Sequence, residues 1–358
     1  MHEVKIGKRL DALTSLRFVA ALAVFMQHGA PYFPGDPLDR LTRQGAIGVS
    51  FFFVLSGFVL TWSRRRVDTP FRFLRRRVAR IWPAHIAAFV ALVLVSIRPL
   101  QHPLHWGVGV LLSLLLLQAW VPREGVYFAG NSVTWSLSCE MFFYALFPAL
   151  VRRIVDLSPR GRTRLAIGLV AAVLVIAAAT PVGDHPLWTW FRYISPPVRL
   201  AEFCLGILVA LWVEEDRWPR IPVWTAATLT AAAYLLAGFV PKGFTQVAVT
   251  VVPICLLIGT VAAHEAVGAA PRVLHHAWFV RLGVWSYAFY LMHQFVLTAA
   301  VTVVERRHAT TTGTVVFAEA IALVLSVVAA ALLHHIVEHP LERALRGPDP
   351  LPALNAPR

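Results

Sequence analysis

The sequence predicts an all-α protein, a polytopic transmembrane helix bundle with about ten spanning helices. Of its 358 residues, 58% are hydrophobic and 15% are charged, whereas a soluble domain is about 25% charged and less than about 50% apolar. Apolar runs of about 18 or more residues, long enough to cross a bilayer as a helix, recur between Leu13 and Val337. Arginines cluster between these runs, as they do in loops that orient a membrane protein.

The apolar runs predict eleven candidate spans, at 13–30, 46–63, 82–97, 106–121, 134–151, 164–180, 196–213, 222–240, 244–263, 281–304 and 313–337. The arginine-rich loop at 64–80 indicates a cytoplasmic position for itself and for the N-terminus. Eleven crossings would then place the basic stretch 152–164 outside. The conflict disappears if 106–121 is re-entrant or interfacial, which leaves ten crossings and both termini in the cytoplasm.

We expect one membrane-embedded domain at 1–346 and a disordered cytoplasmic tail at 347–358, which is rich in proline and has no apolar period. The formal charge of +14 requires no nucleic-acid partner, because the arginines serve membrane orientation. The cysteines Cys139, Cys204 and Cys255 are far apart in apolar stretches, so they indicate neither disulfides nor a metal site. The lipid bilayer is the expected partner, and we expect the protein in the cell inner membrane. The arginine-over-lysine bias is typical of a GC-rich bacterial genome.

Two polar residues of the first span, Arg17 and His28, are eleven positions apart. In a helix they share one face and are separated by about 16 Å along the axis. Alone, Arg17 is explained by snorkelling to the cytoplasmic surface and His28 by solvation at the far interface. Their common face favours a shared cavity instead.

The loop after the second span carries Arg77 and Arg80, three positions apart and therefore neighbours on one helix face. Most arginines of this loop need no role beyond topology. Two adjacent guanidinium groups, however, suit a phosphate or pyrophosphate group, whether from a lipid headgroup or a nucleotide cofactor.

A third cluster begins at Trp135 and Ser136 and includes Glu140 and Tyr144, which lie four positions apart on one helix face. A carboxylate within an apolar span indicates either a functional site or one half of a buried ion pair. The aromatic residues have a simpler explanation as interfacial side chains.

Tyr287, Tyr290 and His293 follow one another at three-residue steps in the tenth candidate span and share a face. A single histidine on an apolar face is usually a packing residue. The sequence has no HExxH motif, no Walker A loop and no GxSxG elbow, so motifs of soluble enzymes do not apply.

These stretches resemble the membrane acyltransferase-3 family of bacterial O-acyltransferases. The similarity extends over most of the chain, in the blocks 10–29, 48–63, 73–85, 135–148 and 286–295. The Arg-x10-His pair of that family matches Arg17 and His28, its Arg-x-x-Arg matches Arg77 and Arg80, and its Trp-Ser-Leu-x-x-Glu matches Trp135, Ser136 and Glu140. Some members also carry an appended SGNH-type domain, and here we expect the membrane body to perform the whole reaction.

The resemblance implies transfer of an acyl group, acetyl or another short chain, from acyl-CoA to a hydroxyl of a sugar, glycolipid or macrolide. His28 would be the general base and Glu140 would orient its imidazole. Arg77 and Arg80 would bind the CoA phosphates, and Arg17 would lie along the pantetheine arm. Contact with the substrates is expected from Trp135, Ser136, Tyr144, Tyr287, Tyr290 and His293. The resemblance implies no metal.

Three alternatives stay open at this point. His28 could form a covalent acyl-histidine instead of acting as a base. A second class of membrane O-acyltransferase uses one buried histidine on a late helix, for which His293 would be the counterpart. Outside enzymes, a transporter or flippase for a lipid-linked or amphipathic solute would also need intramembrane charges.

Overall fold

The computed structural model describes residues 9–29, 42–64, 69–95, 103–180, 185–306 and 312–347, none of which lies in a β-strand. Its longer helices, in chain order, are α1 (Asp11–Gly29), α2 (Ile47–Trp62), α3 (Pro70–Val95), α4 (Pro103–Leu114), α5 (Trp135–Val155), α6 (Pro159–Ala179), α7 (Pro196–Glu214), α8 (Val223–Ala237), α9 (Val251–Ala266), α10 (Ala277–Arg306), α11 (Thr312–Leu333) and α12 (His339–Arg346). Each predicted span coincides with a helix, so the all-α fold class is confirmed. Of the predicted tail 347–358, only Gly347 lies within the described residues.

Several helix boundaries differ from the predicted ones, and two of them are instructive. Helix α3 begins at Pro70, twelve residues before the predicted span at 82, because arginine is a good helix former although it is not apolar. Helix α9 begins only at Val251, and Lys242–Thr245 before it forms a separate short helix. Apolar content therefore located the spans but not the full lengths of the helices.

The helices are suited to a membrane. Within the described residues, five helical stretches are long and apolar enough to cross a bilayer, and they cover Arg43–Trp62, Ser132–Val155, Pro159–Ala179, Pro186–Glu214 and Val316–Arg346. Helices α8 and α9 are shorter but also apolar. Helices α1, α3 and α10, with 19, 26 and 30 residues, have sufficient length and carry more polar side chains. The chain is a multi-pass membrane protein.

One end of the bundle, here called the basic end, is held together by polar contacts between helix termini. The Glu265 carboxylate at the end of α9 accepts a hydrogen bond of 3.0 Å from the Ala12 amide at the start of α1. Arg64, just after α2, forms a 2.7 Å ion pair with Glu214 at the end of α7. Arg75, near the start of α3, donates to the carbonyl of residue 346 at the end of α12 over 3.0 Å. These contacts join the ends of six helices on one side, which is compatible with the predicted ten crossings.

The segment that follows α3 does not cross the bundle. Helix α4 has 12 residues and a rise of about 18 Å, whereas the hydrocarbon core is about 30 Å thick. The chain then turns at Leu116, whose φ is 55°. His85 and Trp82 of α3 lie within 3.0 Å of the carbonyl oxygens of Ser113 and Leu114 and supply N–H donors to them. Two of the last carbonyl groups of α4 thereby receive hydrogen bonds from α3, which is compatible with a re-entrant segment.

Glycines bring several helices into direct backbone contact. A side chain at Gly57 of α2 would collide with the backbone of Phe203 on α7, and one at Gly206 of α7 would collide with the backbone of Val54 on α2. Small residues of this kind allow close packing where no water drives helices together. The contact sets the position of α2, which forms one wall of the cavity described next.

Candidate active site

A cavity with about 840 Å³ of empty space lies among α1, α2, α3, α5 and α10. Its lining combines apolar side chains, mostly of α2, with polar groups from all five helices. The polar lining residues are Arg17, Ser56, Arg77, Arg80, Ser136, Glu140, Tyr144, Ser286, Tyr287 and Tyr290. Eight of the eleven residues expected from the sequence to form the site therefore meet in one place.

The lining of the cavity carries an excess of positive charge. Arg17 of α1 and the pair Arg77 and Arg80 of α3 are half-buried, and Glu140 is the one carboxylate among the lining residues. Among the described residues, none of the three arginines forms a close ion pair, and the Nε of Arg77 is buried without a hydrogen-bond partner. Like charges at low polarity repel one another, so this arrangement suits a polyanionic ligand.

Glu140 is bonded within its own helix. Tyr144, one turn further along α5, donates its hydroxyl to Glu140 Oε2 over 2.9 Å, and Ser56 of α2 donates to the tyrosine oxygen over 3.4 Å. The expected contact between Glu140 and His28 is not made. Helix α1 rises about 16 Å between Arg17 and His28, and Glu140 lines the cavity together with Arg17.

The phenols of α10 connect that helix to its neighbours. Tyr287 donates to the carbonyl of Ile81 on α3 over 2.7 Å, and Tyr290 donates to the carbonyl of Val133 over 2.8 Å. Ser136 Oγ lies 2.9 Å from the Tyr290 hydroxyl. Both phenolic protons are therefore used in packing, while the phenolic oxygens can still accept a hydrogen bond from a substrate.

Trp135 is not part of the cavity lining. Its indole packs against the rings of Phe53, at 6.4 Å between centroids, and Tyr193, at 4.8 Å. The sequence placed it beside Ser136 and Glu140, but successive helical positions point about 100° apart. Its contact with a substrate stays a prediction.

His28 and His293 form a pair beyond the cavity, at the end of α1 opposite the basic end. Nδ1 of His28 lies 3.1 Å from Nε2 of His293, and the ring centroids are 5.1 Å apart. Neither histidine lines the cavity. Tyr290 separates the two regions, with its ring centroid 5.7 Å from that of His293. The predicted common face of Arg17 and His28 thus leads from the cavity to the histidine pair rather than into a single chamber.

Three polar residues near these groups were not singled out by the sequence. Ser56 and Ser286 line the cavity, and a lone serine in an apolar run gives no signal that separates it from ordinary packing. Glu319 of α11 lies against Gly29, the residue after His28, and its Oε1 is buried without a hydrogen-bond partner. Its position inside an apolar run was the available signal. Among the described residues, no group of three or more His, Cys, Asp or Glu side chains could hold a metal ion.

Fold and site together define a multi-pass helical membrane protein with a cationic cavity in its interior. A family model described as an acyltransferase domain matches residues 10–335, and the chain belongs to that family, acyltransferase-3. The resemblance stated from the sequence is confirmed, and the protein is a membrane acyltransferase.

Individual relatives agree with this assignment. The chain is similar to the acyltransferase MdmB of Streptomyces mycarofaciens, with 38% identity over 372 residues that cover 96% of each protein. It is 30% identical to the exopolysaccharide production protein ExoZ of Rhizobium meliloti, over 71% of this chain and 77% of that protein. The O-acetyltransferase OatA of Staphylococcus aureus matches at 24% identity, over 57% of this chain and 35% of OatA. No solved structure matches the chain.

Proposed function

We propose that the protein transfers an acetyl or other short acyl group from acyl-CoA to a hydroxyl of a carbohydrate, glycolipid or macrolide. The observation that supports this proposal is the cluster of three arginines around one carboxylate in the cavity. CoA carries several phosphate charges, and arginine binds phosphate through paired, charge-assisted hydrogen bonds. In this proposal residues 1–346 form the catalytic domain, and the basic end faces the cytoplasm of a bacterial inner membrane.

In this proposal the three arginines bind different parts of the acyl-CoA donor. Arg77 and Arg80 lie in the third and fourth turns of α3, on the side of the cavity nearer the basic end, and would hold the phosphates. Arg17 lies deeper, on α1, and would contact the pantetheine arm. Glu140 then balances part of this charge rather than orienting a histidine, because its hydrogen bond comes from Tyr144.

The acyl group must pass the wall between the cavity and the histidine pair. Phe52 and Tyr290 line the cavity, and their ring centroids are 6.2 Å apart. Access to His28 requires these side chains to move when the donor binds. The acceptor would approach His28 from the other end of the bundle.

Two chemical routes fit His28. In direct transfer, the imidazole takes the acceptor hydroxyl proton, the oxygen attacks the thioester carbonyl, the C–S bond breaks, and the imidazolium returns the proton to the CoA thiolate. In the two-step route, His28 attacks the thioester carbonyl, the C–S bond breaks and CoA leaves as the thiolate. The acceptor oxygen then attacks the acyl-imidazolium, neutral imidazole leaves, and the hydroxyl proton passes through solvent to the CoA thiolate. Both consume one acyl-CoA and release one CoA thiol.

The test is release of free CoA thiol by detergent-purified protein supplied with acetyl-CoA or propionyl-CoA and a panel of sugar and macrolide acceptors. We expect acceptor-dependent release that falls about 10²–10⁴-fold in His28→Ala, the range that a general base contributes. His276→Ala is the matched control, because His276 is exposed at the basic end. Thiol release by His28→Ala at the wild-type rate would contradict the catalytic assignment. No thiol release by the wild-type protein with either donor would contradict acyl-CoA as the donor class and would favour the transporter or flippase alternative.

A further inference from the structure

We propose that His293 is a positioning residue that holds His28 in the tautomer with its proton on Nδ1, so that Nε2 of His28 is the reacting nitrogen. The inference rests on the proposed function for its consequence in catalysis. Its geometrical basis is the set of hydrogen-bond acceptors that surround the two rings.

The proton on His293 is located by two backbone carbonyls. Its Nδ1 lies 2.8 Å from the carbonyl oxygen of Tyr290 and 3.3 Å from that of Phe289. A carbonyl oxygen can only accept, so Nδ1 must carry the hydrogen. The ring is fully buried, with the rings of Phe25 and Phe289 packed against it. Among the residues that the structure describes, no carboxylate forms a hydrogen bond or ion pair with this ring, so a charged imidazole would lack a counterion. His293 is therefore neutral, and its Nε2 holds a lone pair.

That lone pair determines the state of His28. Nδ1 of His28 lies 3.1 Å from Nε2 of His293 and 3.0 Å from the carbonyl oxygen of Val24. Both neighbours are acceptors, so Nδ1 of His28 must be the donor to the two of them. Since a neutral imidazole carries one N–H, its Nε2 is left with the lone pair.

The opposite assignment is unfavourable at both rings. If Nε2 of His293 donated to Nδ1 of His28, the lone pair of His28 would face Val24 and that of His293 would face Tyr290 and Phe289. Three buried nitrogen–oxygen contacts would then be repulsive instead of bonded. Protonation of both rings on all nitrogens would place two like charges 3.1 Å apart.

His293 thus has the role that a carboxylate has in a catalytic triad, where the residue behind the base fixes its tautomer and stabilises its charged form. When His28 takes a proton on Nε2, its Nδ1–H bond to His293 becomes charge-assisted and stronger. The same nitrogen would carry the acyl group in the two-step route.

The first experiment is ¹⁵N NMR of the full-length protein, labelled at histidine, in lipid nanodiscs without substrate. The His28 signals are those that disappear in His28→Ala. We expect a protonated Nδ1 and an unprotonated Nε2 for His28. A protonated Nε2 with an unprotonated Nδ1 would overturn the inference. Because this measurement needs no turnover, it can fail while the enzyme is active, and the enzyme assay can fail while the tautomer is as inferred.

The second experiment compares three substitutions at position 293 in the thiol-release assay. His293→Phe keeps an aromatic ring and removes the acceptor. His293→Asn keeps a donor to the Tyr290 carbonyl but its amide does not reach His28, whereas the amide oxygen of His293→Gln lies about where Nε2 was. We expect kcat to fall about 10- to 100-fold in the Phe and Asn variants. In the Gln variant, kcat should stay within about tenfold of wild type. The KM for acyl-CoA should be unchanged in all three variants. Equal kcat for Asn and Gln, or wild-type kcat for Phe, would overturn the inference.

Discussion

Arg77 and Arg80 hold two guanidinium groups one helical turn apart on α3, on the side of the cavity nearer the basic end. We expect Arg77→Ala and Arg80→Ala each to raise the KM for acyl-CoA about 10- to 100-fold, because a hydrogen bond to a charged group contributes about 1.5–3 kcal/mol. Their kcat should change little, since this binding is the same in the ground and transition states. Arg72→Ala, exposed on the same helix, is the control, and an unchanged KM in both cavity variants would leave these arginines with a role in topology alone.

The histidine pair changes what a mutation at either position can show. From the sequence, separate substitution of His28 and His293 would have distinguished two classes of membrane acyltransferase. Because the two rings are hydrogen-bonded, loss of activity is expected at either position. The substitutions that separate the two roles are those at 293 that keep or remove the acceptor.

Local spacing predicted some of these residue-level contacts and missed others. The Glu140–Tyr144 hydrogen bond and the adjacent positions of Arg77 and Arg80 on one helix face follow from helical periodicity, which is visible in the sequence. The His28–His293 pair joins positions 265 apart, and its formation depends on how α1 packs on α10. No linear pattern encodes that packing, so the sequence assigned Glu140 to His28, whereas the structure places His293 in hydrogen-bond contact with it.

At the scale of helices, the contact between α2 and α7 depends on Gly57 and Gly206, each facing the backbone of the other helix. We expect Gly57→Val to destabilise the protein by about 1–3 kcal/mol or more, as overpacking does, and to lower its melting temperature in detergent. Gly168→Val on α6 is the matched control, since a side chain there would meet no atom within 4 Å. Equal melting temperatures for the two variants would show that α2 and α7 can separate without loss of stability.

The helix ends show why apolar content alone does not predict the full length of each helix. The prediction that 106–121 is re-entrant or interfacial came from positive charges on both sides, which allowed only ten crossings. It stays a prediction, and the 12-residue length of α4 is compatible with it. The start of α3 at Pro70 was missed because its first three turns are arginine-rich and helical at once. In this stretch a high charge and a high helix propensity occur together, and a hydropathy profile detects only the charge.

At the scale of the molecule, the polar contacts of the basic end predict one side of the membrane for it and the other side for the histidine pair. Variants with one added cysteine at an exposed histidine test this orientation: His276→Cys, before α10, and His185→Cys, before the short helix Pro186–Thr189 at the opposite end. The native cysteines are buried and should not react. A membrane-impermeant maleimide should therefore label His185→Cys in intact spheroplasts and label His276→Cys only after the membrane is permeabilised. The reverse pattern would invert the proposed topology.

The wall of Phe52 and Tyr290 has a consequence for the cell as well as for the reaction. Among the described residues, the cavity lining ends at Tyr290 and includes neither histidine. A polar passage open along the full thickness of the bundle would conduct protons down the electrochemical gradient of an energised membrane. If the enzyme works across the bilayer as proposed, the aromatic rings between the arginines and the histidines would divide its polar interior into two compartments, so that the resting protein would not leak protons.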